Sequence, residues 1–352
     1  MASIMNKKND EEQSSLEVTV ERERPNNFIS SLLYSRATVF YPALKLTESM
    51  KKRLVEIAES GGTNLNTPLG TTNINSYGKD LRVNLYGDYL LQPHRDILET
   101  LLAFATTIRL NDKSYEEGAK MSWGDIFKII PNGHMCGNEH YNDGFDSIID
   151  RSAVVLSTSM YDLAKRLNLT PHPSNYEIIE RRLVQLTSAF LMVEEIDKDG
   201  DCVDRRMVKF IQDIRFFHDP SKNKRHSISA KNKTNHIFVV LDQRLLAAIR
   251  DHGYFYRLEQ KKMVKYRSPS TRSFLKFVLT NKLSFLSGKQ INWLIDQYLN
   301  SMPIPLSNPS RMRTTIREDV LKHAVSIEAD FDFQVKADDE GVIRLYKVSD
   351  EA

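Results

Sequence analysis

The stretch STSMYDLAKRLNLTPHPSNYEIIERRLVQLTSAFLMVEEIDKDGD, residues 157–201, has the clearest periodicity in the chain. Apolar residues at helical spacing predict two helices, separated by a turn that contains two prolines. The inward side of the second helix is predicted to be Ile179, Leu183 and Leu186. The alternating run Phe190–Ile196, the turn KDGD and the run Met207–Phe217 then predict a hairpin. Helix, turn, helix, strand, turn, strand is the order of a winged helix.

Polar residues at the start of these helices predict where each one begins. Ser157 or Ser159 is expected to cap the first helix and Asn175 the second, because short polar side chains accept hydrogen bonds from the first free amides. An earlier helix is predicted to begin at Pro93 and to keep an inward side as far as Ile108.

The same order of elements returns in the last third of the chain. Lys289–Asn300 predicts a helix, the loop SMPIPLSNPS follows, and Arg311–His323 predicts a second helix with Met312, Ile316 and Val320 inward. VSIEADFDFQV is expected to be an alternating strand, ADDEG a turn and VIRLYKV a last strand. Ile237–Leu241 predicts a strand ahead of this unit. We infer a duplication of structural order, with little sequence identity between the two copies.

The predicted fold class is therefore α+β, with two tandem winged-helix domains and a flexible charged N-terminal tail. Residues 1–24 are expected to be a disordered tail because they are polar and charged. Residues 25–235 are expected to form the first domain, with an insertion at about 111–151. Residues 236–352 are expected to form the second.

Composition places the chain among globular proteins of a reducing compartment. It has 352 residues, a net charge of only +3 and two cysteines, Cys136 and Cys202, which are too few for a disulfide framework. No apolar run approaches the roughly 18 residues of a membrane span, and the first residues lack a hydrophobic signal segment. We expect a cytoplasmic protein that contacts no membrane.

The distribution of charge is uneven, although the total is nearly neutral. Residues 205–235 hold nine lysines and arginines against two acids, and residues 257–289 hold nine against one. Two basic blocks beside two helix–turn–helix candidates favour binding to a polyanion. The competing interpretation is that these blocks are solvated loops and helix faces.

The second helix of each candidate is predicted to enter the major groove of DNA. Arg pairs with guanine there, and Asn or Gln pairs with adenine. The residues expected to contact DNA are, in the first helix, Asn175, Tyr176, Arg181, Arg182 and Gln185, and in the second, Ser310, Arg311, Arg313, Thr314 and Arg317. A plain solvated face remains the alternative, with Arg181 paired to Glu177 one turn away.

Enzymatic interpretations have weaker support. His134, Cys136, His140 and Asp143 are metal-binding residue types, but their spacing matches no strong signature. The chain has no G-x-x-x-x-G-K-[ST] sequence for nucleotide phosphates. It also lacks the histidine pair that a rolling-circle nickase would need. We expect no catalytic residue, no bound metal and no cofactor.

Several segments resemble one family, the TrfA-type plasmid replication initiators of the tandem winged-helix Rep class. PNNFISSLLYS at residues 25–35 resembles the family's entry segment, and residues 76–105 resemble its strand, turn and first long helix. Residues 160–191 resemble its first helix–turn–helix. The family pattern K-Y-R-x-L-S-P-x-A-R-x-x-x-x-F occurs shortened by two residues. Its basic positions here, Lys265, Arg267 and Arg272, are counted with the expected DNA-binding residues.

The resemblance, which spans residues 25–347, implies a function. A protein of this family would bind direct repeats at a plasmid origin, promote opening of the adjacent duplex and recruit the host replicative helicase. It would be bacterial and plasmid-encoded, and would exchange between monomer and homodimer. Contact with the sliding clamp stays open, because the nearest candidate, residues 13–17, lacks the aromatic residue of the clamp-binding pattern.

Two other classes of protein fit the same residues. A winged-helix transcriptional repressor, autoregulatory or otherwise, needs only DNA reading and no initiator activity. A metal-dependent enzyme built around His134–Asp143 would need bound metal.

Overall fold

The computed structural model describes residues 17–21, 27–31, 37–76, 79–104, 106–111, 120–122, 148–150, 154–217, 236–241, 255–259, 262–263, 265–281, 286–304, 306, 308–331 and 333–348. The helices in these ranges are α1 (Glu48–Glu59), α2 (Gln92–Phe104), α3 (Met160–Arg166), α4 (Pro173–Ser188), α5 (Pro269–Leu279), α6 (Ile291–Asn300), α7 (Pro309–Lys322) and α8 (Ala324–Asp330). The strands are β1 (Glu17–Glu21), β2 (Asn27–Ser31), β3 (Gly70–Ser76), β4 (Lys79–Tyr86), β5 (Thr106–Asn111), β6 (Lys120–Ser122), β7 (Ile148–Asp150), β8 (Val154–Ser159), β9 (Phe190–Ile196), β10 (Cys202–Lys209), β11 (Ile211–Phe217), β12 (His236–Leu241), β13 (Phe255–Glu259), β14 (Lys289–Gln290), β15 (Phe333–Ala337) and β16 (Ile343–Lys347).

These strands form antiparallel sheets, so the described part of the chain is a mixed α and β structure. The larger sheets have the orders β1-β5-β8-β12-β11 and β10-β9-β4-β3. A three-stranded sheet, β14-β16-β15, lies near the C-terminus, and β13-β2 and β6-β7 are two-stranded. The predicted insertion at 111–151 is described only at its edges, by β6, β7 and residue 111, and the rest of it lies outside the described residues.

Strand pairing crosses two of the predicted domain limits. Glu17–Glu21 lies in the predicted tail but forms β1, which pairs with β5. The limit between residues 235 and 236 falls inside the five-stranded sheet, because β12 pairs with both β8 and β11. Ile237–Leu241 is buried throughout, which explains why this strand reads as an unbroken apolar run.

The predicted strand Met207–Phe217 is two strands in two sheets. β10 pairs with β9 in the four-stranded sheet, whereas β11 pairs with β12 in the five-stranded sheet. The chain changes sheets at Phe210, which is fully buried and makes an edge-on ring contact with Phe40. Periodicity alone cannot show such a change, because the residues before and after it remain extended.

The first helix pair, α3 and α4, begins and ends where local hydrogen bonds dictate. The hydroxyl of Ser159 accepts from the amide of Asp162 at 3.0 Å and caps α3. Asn168 ends this helix in a left-handed conformation, with φ of 56°, and the amides of Asn168 and Leu169 return to the carbonyls of Lys165 and Ala164.

The predicted cap of α4 is wrong by one turn. α4 begins at Pro173, and the ring of His172 accepts from the amide of Ser174. Proline suits this first position because its missing amide proton has no helical partner there. Asn175 lies inside the first turn, and its side chain donates to the carbonyl of Thr170 at 2.8 Å.

Three other predicted boundaries are corrected. α2 ends at Phe104, and Ile108 belongs to strand β5. The helix predicted from Lys289 is preceded by the short strand β14. The predicted strand VSIEADFDFQV is helix α8 in its first part, because the inward residues are Ile327 and Phe331, one helical turn apart, whereas Val325 is 82% exposed.

The second helix pair, α6 and α7, belongs to a run of consecutive elements near the C-terminus. α5, β14, α6, α7, α8 and the hairpin β15–β16 follow one another, and β14 joins the edge of the hairpin at β16. The buried side of α7 contains Ile316 and Val320, as the sequence predicts.

The N-terminal and C-terminal parts share one hydrophobic core. The loop after α6 lies against β3, where the amide of Thr71 donates to the carbonyl of Pro303 at 3.0 Å. A Cβ atom on Gly70 would lie 2.3 Å from that carbonyl oxygen, so only glycine fits this approach. The hydroxyl of Thr38 also pairs with the hydroxyl of Ser301 at the end of α6.

A buried cluster of charges joins α2 to α5. Glu99 of α2 accepts from Arg95 at 2.8 Å and from the ammonium group of Lys276 in α5. All three side chains are almost wholly buried. Burial acts to raise the pKa of Glu99, but Lys276 and Arg95 together lower it below its ordinary value. Burial lowers the pKa of Lys276 to about 8, against the opposing effect of Glu99.

Gly87 is expected to tolerate no side chain. Its φ is 81°, and an added Cβ would lie 2.1 Å from the carbonyl oxygen of Ser188 at the end of α4. Gly87→Ala should lower the free energy of unfolding by about 2–5 kcal/mol, from left-handed strain plus overpacking. Gly200→Ala is the matched control, since its φ is 91° with no atom within 4 Å, and should cost only about 1–2 kcal/mol. Equal losses in urea denaturation would limit the role of Gly87 to its backbone conformation.

The charge cluster is expected to respond differently to the loss of its anion and of one cation. Glu99→Gln removes the carboxylate that pairs with two buried cations and should cost about 3–5 kcal/mol of unfolding free energy. Lys276→Met leaves Glu99 paired with Arg95 and should cost less.

The same cluster predicts a dependence of stability on pH. Because the pKa of Lys276 is lowered to about 8 in the folded state, the unfolded chain binds more protons between that pH and the ordinary lysine value of 10.5. Unfolding free energy should therefore rise with pH across this window, and Lys276→Met should remove the rise. A Lys276→Met profile parallel to that of the wild type would assign the rise to other groups.

Candidate nucleic-acid interface

Helix α7 presents a polar face opposite its buried side. The carboxamide of Asn308 accepts from the amide of Arg311 at 3.0 Å and caps the helix, and Pro309 is its first residue. With Ile316 and Val320 turned inward, the exposed side chains of α7 are Pro309, Ser310, Arg311, Thr314, Thr315, Arg317, Glu318, Leu321 and Lys322.

The three predicted arginines of α7 are in two different states. Arg311 and Arg317 are exposed and make no side-chain hydrogen bond or ion pair with any described residue. Arg313 is half-buried, and its Nε donates to Asp296 of α6 at 2.7 Å, with a second contact from Nη2. The hydroxyl of Thr314 donates to the carbonyl of Ser310 at 3.1 Å, so both of these residues remain on the face. The structure therefore leaves two guanidinium groups available to a ligand.

The DNA-binding residues predicted on α4 differ from one another in exposure and in partners. Arg181 is exposed, and among the described residues it has no partner; the ion pair with Glu177 that the sequence allows does not form. Asn175 is committed to the turn before the helix. Tyr176 packs against the core, and burial raises the pKa of its hydroxyl.

Arg182 and Gln185 turn towards α2 and away from the outward face. The amide of Leu91 donates to Nδ1 of His94 at 2.9 Å, so the proton of this ring is assigned to Nε2, which donates to Oε1 of Gln185 at 3.0 Å. Burial lowers the pKa of His94, which keeps the ring neutral at pH 7. Burial also lowers the pKa of Arg182, although nearby Asp96 raises it. Both residues thus join α4 to α2.

The outward face of α4 is partly apolar. Val184 is 48% exposed and Ile178 is 36% exposed, and Tyr161 of α3 is exposed beside this helix pair. Arg181 is the one basic side chain that the described residues leave exposed on this helix. The sequence could have predicted this apolar exposure, because Ile178 and Val184 lie outside the helical stripe that contains Ile179 and Leu183.

Three of the nine basic residues of the second block form ion pairs within the described part of the protein. Lys265 donates to Asp330 at 2.8 Å, and Arg272 lies 3.4 Å from Asp96. Lys276 is buried with Glu99, as described above. Arg267 is exposed and, within the described ranges, has no partner. Of the three basic residues taken from the family pattern, Arg267 alone is presented to solvent without a counter-charge.

The first basic block is likewise partly neutralised where it is described. Arg205 of β10 contacts Glu194 at 2.8 Å, and Arg206 contacts Asp204. Residues 218–235, which hold five of its nine bases, lie outside the described residues. The high local count of bases therefore does not translate into an equally basic surface on β10.

The turns of the two hairpins are acidic. The β9–β10 turn contains Asp197, Asp199 and Asp201, and the β15–β16 turn contains Asp338, Asp339 and Glu340. A hydrogen bond from Arg344 lowers the pKa of Asp338, so this carboxylate stays ionised. Negative turns repel phosphates, so these tips are poor candidates for contact with a nucleic-acid backbone.

His134, Cys136, His140 and Asp143 lie outside the described residues, and within the described part of the chain no group of three metal-binding side chains is close enough to hold an ion. Cys202 is an exposed free thiol. No helix among the described residues has the length and apolar character needed to cross a membrane.

The described residues thus define a mixed α and β protein with antiparallel sheets, in which two helix pairs each precede a hairpin. No protein-family model matches the chain, and no curated protein matches it.

Two solved structures are similar in shape. One contains domains 2 and 3 of RctB, with a TM-score of 0.39 and 7% identity over 78% of this chain and 88% of that chain. The other is a selenomethionine derivative of the same two domains, with a TM-score of 0.40 and 7% identity over 81% and 94%.

Proposed function

We propose that the chain is a sequence-specific DNA-binding protein that inserts α7 into the major groove. The observation that carries this proposal is the state of Arg311 and Arg317, two exposed guanidinium groups without a counter-charge among the described residues. The groove of B-DNA admits one helix, and a guanidinium group pairs there with the two acceptors of guanine. The opposite side of α7 packs on α6 and the core, so the polar face is the one that a ligand meets.

The arrangement around α7 supports a winged-helix mode of binding. α5, α6 and α7 with the sheet β14-β16-β15 follow the order of that fold, with α8 added between α7 and β15. The acidic turn of the hairpin departs from the usual pattern, because it is expected to avoid phosphates. We therefore assign the phosphate contacts to Lys322 and Arg267, both exposed, rather than to the tip of the wing.

We further propose that α4 contributes a second contact. α4 is linked to α2 through Gln185 and His94, α2 is linked to α5 through the charge cluster, and α5 packs with α7 in the common core. Such a connection holds the two helices at a fixed separation, so both meet one duplex only where the spacing of two half-sites matches. Tandem direct repeats meet this requirement, because they place two half-sites at a fixed spacing.

The biological role proposed is initiation of plasmid replication. It is supported by the segments that resemble the TrfA-type initiators, from the entry segment at residue 25 to the last strand. On this proposal the protein binds origin repeats, promotes opening of the adjacent duplex and recruits the host helicase, without covalent chemistry of its own. Contact with the sliding clamp and exchange between monomer and dimer belong to the same proposal.

Binding is tested by selecting fragments of the source replicon at low and at moderate salt. We expect one locus with repeated sequence to survive moderate salt, whereas purely electrostatic binding would retain all fragments at low salt and none at moderate salt. Loss of the gene from its replicon then tests the role: it should abolish plasmid maintenance, and a change in gene expression alone would instead identify a repressor.

Three arginine variants of α7 test the assignment of the reading helix. Arg311→Ala and Arg317→Ala should each weaken binding to the selected site by about 1–3 kcal/mol and weaken binding to unrelated DNA much less. Arg313→Ala is the control, because its guanidinium group is already held by Asp296, and its effect on site binding should be smaller. Fluorescence anisotropy with specific and scrambled duplexes measures both affinities. Equal losses on both duplexes for Arg311→Ala and Arg317→Ala would reduce these residues to phosphate contacts.

A further inference from the structure

Glu318 is an acid on a face that is otherwise polar or basic. It is exposed on α7, seven residues after Arg311 and one turn before Lys322. Seven residues of an α-helix return to almost the same side, about 20° away, so Arg311 and Glu318 lie on one line along the helix. Thr314 and Thr315 lie between them, also exposed.

The other described acids beside α7 have partners, and Glu318 does not. Asp319 lies 3.5 Å from His323, and Asp296 holds Arg313. Glu318 makes no hydrogen bond or ion pair with a described residue, although Lys322 is one turn away. Its carboxylate is thus as available to a ligand as the guanidinium groups of Arg311 and Arg317.

A free carboxylate facing DNA is unfavourable unless a hydrogen-bond donor meets it. Phosphates repel it, and so do the acceptor atoms of guanine and thymine in the major groove. Cytosine presents an amino group there, from which Glu accepts. Adenine also has an amino group, but its neighbouring acceptor nitrogen opposes an ionised carboxylate, which can only accept.

We propose that Glu318 is a specificity-determining residue that reads a cytosine. The inference rests on the proposed function, since it assumes that α7 enters the major groove. Its second effect is discrimination: at any other base pair the carboxylate lowers affinity, so it rejects unrelated sequences as well as selecting one base.

The spacing on α7 predicts the arrangement of bases in the site. Arg311 and Glu318 are about 10.5 Å apart along the helix axis, at a rise of 1.5 Å per residue. This distance corresponds to about three base pairs at 3.4 Å each. A guanine read by Arg311 and a cytosine read by Glu318 should therefore lie about three base pairs apart. The hydroxyls of Thr314 and Thr315 already donate to the carbonyls of Ser310 and Arg311, which leaves their methyl groups and acceptor oxygens for the bases between.

The test is selection from a randomised duplex library with the full chain and three variants. Glu318→Gln should move the preferred base at one position from cytosine to adenine, because a carboxamide pairs with adenine. Glu318→Ala should accept any base at that position, with a loss of discrimination of about 5- to 150-fold and no loss of affinity for unrelated DNA. Glu59→Gln is the matched control, since it removes an exposed acid from α1 and should change no base preference.

The outcomes separate this proposal from the proposed function. If both Glu318 variants strengthen binding to every sequence equally, with unchanged base preference, Glu318 is a general repulsive charge and the proposal fails while DNA reading stands. If the wild-type chain enriches no sequence, the proposed function fails and this proposal fails with it. All residues concerned are exposed, and unchanged thermal unfolding of each variant confirms that the comparison concerns binding.

Discussion

The buried carboxylate of Glu99 is the constraint on which the arrangement of helices depends. It comes from α2 and is held by Arg95 of the same helix and by Lys276 of α5, 177 residues further along the chain. A buried charge must meet its partners in defined geometry, whereas apolar side chains can slide past one another. The cluster therefore fixes the rotation of α5 against α2. α4 is attached to α2 by His94 and Gln185, so its position follows from the same constraint.

This use of charge explains why two strongly basic segments do not give a strongly basic described surface. Lys265, Arg272 and Lys276 belong to the second block, and each is bound to an acid from a distant element. These residues hold the structure together, so their number in the sequence overstates the charge that a ligand meets. Fewer basic side chains are exposed without an acidic partner among the described residues, and Arg311 and Arg317 on α7 are the clearest examples.

Local elements of the fold could be predicted, whereas their assembly could not. The inward sides of α4 and α7 follow from periodicity, because the spacing of apolar residues within one helix determines which side is buried. The change of sheet at Phe210 and the pairing of β12 with β8 depend on partners far away in the sequence. The strand predicted at residues 325–335 failed for a different reason. Its apolar residues fit both the helical period and the strand period. The exposure of Val325 shows that the helical spacing is the one present. At the candidate site, the sequence could predict that Arg311 and Arg317 lie on the exposed side of α7, but not the ion pair between Arg313 and Asp296.

Each helix pair precedes a hairpin, with α8 added after the second pair, but the two pairs present different surfaces, and this difference bears on what each can recognise. The outward side of α4 combines Val184, Ile178 and a single basic residue, Arg181. The outward side of α7 combines two free guanidinium groups, two threonines and an unpaired carboxylate. Donors, acceptors and methyl groups on one line can distinguish base pairs, whereas a mixed apolar face gains mainly from burial. A protein built in this way would take its sequence discrimination from α7. The fixed attachment of α4 would then add affinity only on DNA whose second half-site lies at the distance that the core imposes.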